Sequence, residues 1–208
     1  VAPLAVVAAL FTFSCLLYAN SVDGAFVFDD LPAIVGNRDI RQIWPPIWLD
    51  SPWHGSLASR PVVMCSLALS YAIDGANPIT FRFANLLMHI GCSLLFYAIA
   101  HRLFHSTPLR STYGNAGQAL PLICALVWLL HPIQSQCINY VIQRSEILMA
   151  FCALTVLYAA QRSIAGTGWW SVLAVTACFL GMASKESMVA VPLLVPLCDR
   201  AMSGDHMI

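Results

Sequence analysis

Long apolar runs, separated by short segments that hold most of the charges, limit this chain's fold more than any other sequence feature. A helix needs about 20 apolar residues to cross a bilayer. Five runs come near that length, at residues 1–19, 81–104, 117–133, 145–161 and 168–184. A shorter run at 187–198 holds two prolines and is left open as the start of a sixth span. The pattern predicts an all-α membrane protein that crosses the bilayer several times.

Composition agrees with this prediction and excludes some functions. The 208 residues are 59% hydrophobic and 10% charged, whereas soluble domains have about 25% charged residues. The formal net charge is +0 and Lys185 is the only lysine, so the basic surface that nucleic-acid binding needs is missing. The eight cysteines show no CxxC spacing, and we interpret them as small buried hydrophobes. No metal site is predicted.

The segment at residues 20–80 is predicted to be a long outer loop on the membrane surface, because it is rich in tryptophan and proline. Within it, residues 61–73 form an apolar run that is too short for a span and fits an interfacial or re-entrant helix. The short loops at the other ends of the spans carry Arg102, Arg110, Arg162 and Arg200 and are nearly free of acids. The positive-inside rule places those short loops in the cytoplasm and the long loop outside.

Two adjacent carboxylates, Asp29 and Asp30, follow the first span. A carboxylate at a partly desolvated interface has a raised proton affinity, which suits a general base that takes a proton from a hydroxyl group. The alternative is structural, since Asp30-Leu31-Pro32 is a good helix start with an aspartate cap. The local sequence by itself favours the helix-capping role of the aspartates over the catalytic role.

Further charged groups are predicted at the same membrane face. Arg144 and Glu146 open the fourth span, Lys185 and Glu186 close the fifth, and His131 closes the third. Together they could surround a phosphate headgroup. Ordinary interfacial charge explains any one pair equally well, but explains their joint placement less well.

Other polar residues are interpreted more conservatively. His89 lies within the second span beside Asn85, and we interpret it as a hydrogen-bonded packing residue rather than a ligand. Trp53 and His54 in the long loop are interpreted as surface anchors.

Several short motifs, in order, resemble a known family. They are Phe26-Val27-Phe28-Asp29-Asp30, Ala33-Ile34, Asn37-Arg38-Asp39, Ser59-Arg60-Pro61, the stretch from Asn77-Pro78 to His89, His131-Pro132-Ile133, Gln143-Arg144-Ser145-Glu146 and Lys185-Glu186. This set resembles the transmembrane and tetratricopeptide-repeat-containing O-mannosyltransferase family and its bacterial relatives. The stretch at residues 139–146 looks more similar to the bacterial relatives, which implies a bacterial inner membrane rather than the endoplasmic reticulum.

The resemblance implies a GT-C-like multi-pass bundle and a glycosyltransferase whose active site is extracytoplasmic. The donor would be a polyprenyl-phosphate-linked sugar, mannose or a related hexose, and the acceptor a protein hydroxyl. Asp29 or Asp30 would be the base and Arg144 and Lys185 would hold the donor phosphate. The supporting residues would be Glu146, Glu186, His131, Arg60 and His89. No cofactor is implied, although a divalent ion held by Asp29 and a distant acid stays open.

Members of this family usually continue with more membrane helices and C-terminal tetratricopeptide repeats, so the chain is expected to be an N-terminal part. Two other functions stay open. A transporter or flippase for a lipid-linked substrate would place its ionisable groups near the membrane midplane, whereas here they gather at span ends. A non-catalytic membrane scaffold would present a C-terminal interaction domain.

Overall fold

A helix forms in each of the predicted spans. The computed structural model describes residues 3–50, 57, 59–113, 115, 117–164, 166 and 168–203, and these contain no strand. The predicted anchors Trp53 and His54 lie outside the described residues. In chain order the α-helices are α1 (Pro3–Tyr18), α2 (Pro61–Asp74), α3 (Pro78–Phe104), α4 (Thr107–Tyr113), α5 (Ala119–Leu130), α6 (Ser135–Asn139), α7 (Arg144–Ile164), α8 (Trp169–Met182) and α9 (Val191–Ser203).

Length and composition single out the helices that can cross a bilayer. Among the described residues, α3 and the segment Val141–Ser163, which contains most of α7, are long and apolar enough. The segment formed by α5 and Pro132–Asn139 would be a third span, with a bend of 51° at its break. The chain is therefore an all-α membrane protein. The helices α1, α2 and α8 are apolar but shorter, so membrane crossing by α1 and α8 stays a prediction.

Local sequence signals set the bounds of α2 and α3. Each helix has a proline in its first turn, at Pro61 and Pro78, where the missing N–H is not needed. The side chain of Asn77 caps α3 by accepting a hydrogen bond from the Ile79 N–H at 3.1 Å. Gly75 ends α2 with a φ of 56°, a conformation that glycine adopts at little cost because it has no side chain. The predicted helix within the long loop is confirmed at Pro61–Asp74.

The long loop is more than a surface layer, because part of it is packed into a core. One face of α2 is buried against loop residues and against the starts of α3 and α7. This core consists of Ala33, Ile34, Ile40, Leu57, Val63, Met64, Leu67, Ala68, Phe81, Val141 and Ile142. Each large aliphatic side chain buried there contributes about 1.5–3 kcal/mol of transfer free energy. The core therefore ties the loop to one end of the bundle.

The helix α3 lies at the centre and packs against both α5 and α7. The starts of α3 and α7 lie at one end of the bundle, where the C-terminal half of the α5–α6 segment joins them. We call this the loop end, and the end formed by the last turns of α3 and α7 the far end. Beside α7, Gly181 of α8 lets Met188 approach closely, since an added Cβ would lie 2.7 Å from its sulfur.

Candidate functional site

A polar row on α3 holds the break between α5 and α7 in place. Arg82, Asn85 and His89 lie on one helix face because they are three and four residues apart. Arg82 Nε donates to the Asn139 carbonyl at 3.0 Å and Asn85 Nδ2 to the Cys137 carbonyl at 3.0 Å. Such carbonyls at helix ends lack helical partners and would be costly to leave unpaired in an apolar medium. The row therefore fixes the path of the chain at the loop end.

His89 completes this row from a buried position. Its Nε2 lies 3.1 Å from the Leu129 carbonyl, and its ring stacks on Trp128 with 5.0 Å between centroids. These are the contacts of a packing residue, as the sequence indicates.

Arg144, the expected phosphate ligand, is fully buried instead. Its Nε donates to Asn85 Oδ1 at 2.7 Å, and its Nη2 donates to the Phe81 carbonyl at 2.8 Å. Its Nη1 donates to the Ser66 carbonyl and to Ser70 Oγ, both at 2.8 Å. The first turn of α7 faces the interior between α2 and α3, so the guanidinium joins these helices and has no surface that a phosphate could reach.

Asp30 is buried as well, and its carboxylate caps a distant segment. Its Oδ1 accepts a hydrogen bond from the Ile142 N–H at 2.9 Å, and its Oδ2 accepts one from the Val141 N–H at 3.3 Å. These N–H groups start the 3₁₀ turn that leads into α7. The expected cap of the local helix start is not made. Burial raises the pKa of Asp30, against the opposing effect of these N–H groups and of Arg82.

Asp29 differs from its neighbour because a tight turn points the two aspartates in different directions. The Asp30 N–H donates to the Val27 carbonyl at 3.0 Å, which closes a turn around Phe28 with a φ of 47°. A positive φ is strained for an aromatic residue, and such backbone strain is common at functional sites. Asp29 is exposed, and its N–H donates to the Tyr140 hydroxyl at 3.3 Å. Burial and the charge of Asp29 both contribute to a raised pKa of Tyr140.

Arg82 also fixes the segment that precedes this turn. Its Nη2 donates to the Ala25 carbonyl at 2.6 Å, and its Nη1 donates to the Gly24 carbonyl. A side chain at Gly24 would crowd the guanidinium, because an added Cβ would lie 3.3 Å from Nη1. Arg82 is not among the site residues predicted from the sequence. A charged residue inside a predicted span, on one face with Asn85 and His89, was the available signal.

Four of the expected site residues form a row of alternating charge at the loop end. Arg60 Nη2 lies 3.4 Å from Glu186 Oε2, and Lys185 Nζ forms an ion pair with Glu146 Oε1. The backbone of Glu186 and the charge of Arg60 lower the pKa of Glu186. The side chains of Lys185 and Arg60 are 25% and 20% exposed. The structure thus brings these four together, and both cations are accessible.

His131 does not join this row. It is exposed, and its Nδ1 accepts a hydrogen bond from the Ile133 N–H at 3.2 Å, which caps the turn after α5.

Three neighbouring cavities open near these groups. The polar cavity, of about 500 Å³, is lined by Glu146, Gln143 and His89 among others. The loop cavity, of about 440 Å³, is lined by Tyr140, Arg82 and Val27, and shares Gln136 with the polar cavity. The apolar cavity, of about 520 Å³, has walls that include Phe96, Ile123, Val127 and His131. It shares Trp128, Ile133 and Gln134 with the polar cavity.

Metal ligands are not grouped in the part of the chain that the structure describes. No set of three or more His, Cys, Asp or Glu side chains there could hold a metal ion. The eight cysteines are free thiols.

Together, the fold and the site define a helical membrane protein with accessible carboxylates, cations and cavities at one end of its bundle. The chain is 27% identical over 203 residues to protein O-mannosyl-transferase TMTC4 of Mus musculus, which covers 86% of the chain. It is 32% identical to TMTC4 of Homo sapiens over an alignment of 153 residues, which covers 67% of the chain. It is 25% identical over 88% of the chain to Tmtc1 of Drosophila melanogaster. The chain belongs to the transmembrane and tetratricopeptide-repeat-containing O-mannosyltransferase family.

The chain spans only part of these relatives, between 20% and 27% of their lengths. No family model matches it. No solved structure matches it either, so the GT-C-like arrangement stays a prediction. These three relatives are animal proteins, and the expected similarity to bacterial relatives also stays a prediction.

Proposed function

We propose that this chain is the catalytic part of a protein O-mannosyltransferase and that Asp29 is its general base. The observation that carries the proposal is the different environment of the two adjacent aspartates. Asp30 has both carboxylate oxygens bound to backbone N–H groups in the interior, whereas Asp29 is exposed. A base must reach the hydroxyl from which it takes a proton, and only Asp29 is open to an acceptor.

The surroundings of Asp29 favour this role. Arg82 fixes the chain before the turn and Asp30 fixes it after the turn, so the exposed carboxylate is held on a rigid support. Tyr140, whose hydroxyl accepts the Asp29 N–H, also lines the loop cavity. An acceptor segment in that cavity would bring a serine or threonine hydroxyl close to Asp29.

The cavities fit a donor that joins a polar head to a lipid chain. The apolar cavity suits part of a polyprenyl chain, and the polar cavity that shares its wall suits the sugar. Lys185 pairs with Glu146 at the polar cavity, and Arg60 pairs with Glu186 next to it. These partly exposed cations are our candidates for stabilising the departing lipid phosphate. Arg144, enclosed in the core, serves instead to hold the site together.

The membrane side of the site is part of the same proposal. The long loop, the two aspartates and the charge row lie at the loop end, and the arginines of the short loops lie at the far end or beyond it. By the positive-inside rule the loop end is extracytoplasmic. In a bacterium that would be the periplasmic face of the inner membrane.

The test uses membranes that carry the full-length protein and radiolabelled polyprenyl-phosphate mannose. Label bound to protein measures transfer. Asp29→Asn should lower transfer by about a hundredfold or more, because the amide cannot accept the proton. Asp29→Glu keeps a carboxylate and should retain part of the activity. The amount of folded protein in the membrane should be the same for all three forms.

Three other outcomes of this experiment would contradict the proposal. Unchanged transfer in Asp29→Asn would overturn the assignment of the base. Movement of the labelled lipid across the bilayer, without any labelled protein, would favour the flippase. A protein without either activity, in which Asp29→Ala changes nothing, would favour the scaffold.

A further inference from the structure

The far end of the bundle has a basic cavity that the proposed transfer reaction does not use. It has a volume of about 320 Å³ and lies between the end of α3, the start of α5 and the end of α7. Its walls are Tyr97, Ala98, His101, Arg102, Gln118, Tyr158 and Arg162. Two arginines and a histidine thus line this cavity, and no acidic residue is among the walls that the structure describes. Such a cavity favours an anion.

Buried polar atoms at this cavity lack hydrogen-bond partners. Arg102 Nη2 donates to the Gln161 carbonyl at 3.1 Å, but Arg102 Nε is buried without an acceptor. Gln118 Oε1 is also buried without a partner. Unpaired buried groups cost free energy, and a ligand that pairs them recovers it. The ligand must offer an acceptor to Arg102 and a donor to Gln118.

The second arginine is held in place by aromatic rings. The guanidinium carbon of Arg162 lies 5.0 Å from the ring centre of Trp170, which itself meets Tyr158 edge-on at 5.8 Å between centroids. A guanidinium supported in this way loses less freedom when it binds a phosphate. Arg162 therefore presents a fixed positive charge to the cavity.

The position of the cavity identifies the source of the anion. Arg102 and Arg162 lie in the last turns of α3 and α7, the two helices that qualify as membrane spans by themselves. Tyrosine and tryptophan beside them are typical of the headgroup level of a bilayer. Phospholipid phosphates lie at this depth, and basic pockets between membrane helices bind such headgroups.

We propose that this cavity binds the headgroup of an anionic glycerophospholipid whose phosphate pairs with Arg102 and Arg162. A hydroxyl on the same headgroup donates to Gln118 Oε1. The site lies at the opposite end of the bundle from Asp29 and does not depend on the proposed transfer reaction.

The experiment measures lipid binding to the full-length protein in detergent by native mass spectrometry and by the rise in unfolding temperature. The probes are phosphatidylglycerol, phosphatidylcholine and inorganic phosphate. Phosphatidylglycerol should bind and stabilise the protein, and the other two should do so at least tenfold more weakly. Arg162→Gln should weaken phosphatidylglycerol binding by roughly tenfold, because one charge-assisted contact is lost.

Arg110→Gln is the matched control, because Arg110 is an exposed arginine of α4 that does not line the cavity. It should bind phosphatidylglycerol as the unchanged protein does. Both variants are compared in lipid-free detergent first, where equal unfolding temperatures show that the fold is intact. If Arg162→Gln is less stable there, Arg162→Lys replaces it and should bind more weakly than Arg110→Gln.

Three results would overturn the proposal. One is equal binding of phosphatidylcholine and phosphatidylglycerol, and another is equal loss of binding in the cavity variant and in Arg110→Gln. A response to inorganic phosphate that matches the lipid response would show an anion site without lipid recognition.

Discussion

Two sets of charged residues lie at the loop end, and they differ in how completely the protein surrounds them. Asp30, Arg82 and Arg144 are at most 3% exposed and bind backbone and side-chain groups from distant parts of the chain. Asp29, Lys185 and Glu186 lie at the surface or close to it. In the sequence, Asp29 and Asp30 are neighbours, yet they fall into different sets. The position of a residue relative to a span therefore predicts its depth along the membrane normal. It does not predict whether the side chain points into the protein or toward its surface.

The difference separates structural roles from chemical ones. A buried ion is stable only if partners replace its hydration, and removing any partner is costly. An exposed ion pair contributes little to stability because water screens it. We therefore expect the buried set to determine folding and the exposed set to be free for chemistry. Substitutions in the two sets test this distinction.

The largest effect on stability is expected from Arg144→Ala. It leaves the Phe81 carbonyl and Asn85 Oδ1 without their donor in the interior. A loss of about 3–5 kcal/mol in the free energy of unfolding is expected, as for other broken buried charge networks. Unfolding of the purified protein in detergent, followed by circular dichroism, measures it. The control is Lys185→Ala, which removes a partly exposed cation, and equal losses in both variants would contradict the distinction.

A smaller but clear loss is expected from Asp30→Ala, which leaves the N–H groups of Val141 and Ile142 unpaired at the start of α7. Each unsatisfied group costs about 1–3 kcal/mol, and because the Val141 contact is long, at 3.3 Å, we expect a total in the lower part of the summed range, about 2–4 kcal/mol. Asp29→Ala should leave the unfolding temperature unchanged, because its carboxylate is exposed. If Asp29→Ala destabilised the protein as much as Asp30→Ala, the two aspartates would not have different roles.

The smallest effect is expected from Glu186→Gln. Its side chain is 73% exposed and its contact with Arg60 is 3.4 Å long, so the unfolding temperature should stay within experimental error of the unchanged protein. The same unfolding experiment at low and high salt tests this. A clear loss that disappears at high salt would show that the charge row contributes to folding.

The sequence indicates which site residues lie at the loop end, but it does not indicate which of them are buried. The family motifs and the span ends indicated Asp29, Asp30, Arg60, Glu146, Lys185 and Glu186, and the structure places all of them at the loop end. Arg144 was expected to face a phosphate because it opens a span. Its enclosure depends on Ser66, Ser70, Phe81 and Asn85, which come from helices 59 or more residues away in sequence. No local pattern carries that information.

Sequence patterns are sufficient to predict the all-α membrane class, the helix within the long loop and the position of most helices. These follow from hydrophobic length and from proline, asparagine and glycine signals, all of which act over a few residues. Helix packing, by contrast, determines that Asp30 points inward and Asp29 outward, and that Arg82 fixes the loop before them. The physical reason is that a buried charge lies where distant backbone groups can satisfy it, and those groups meet only when the helices pack.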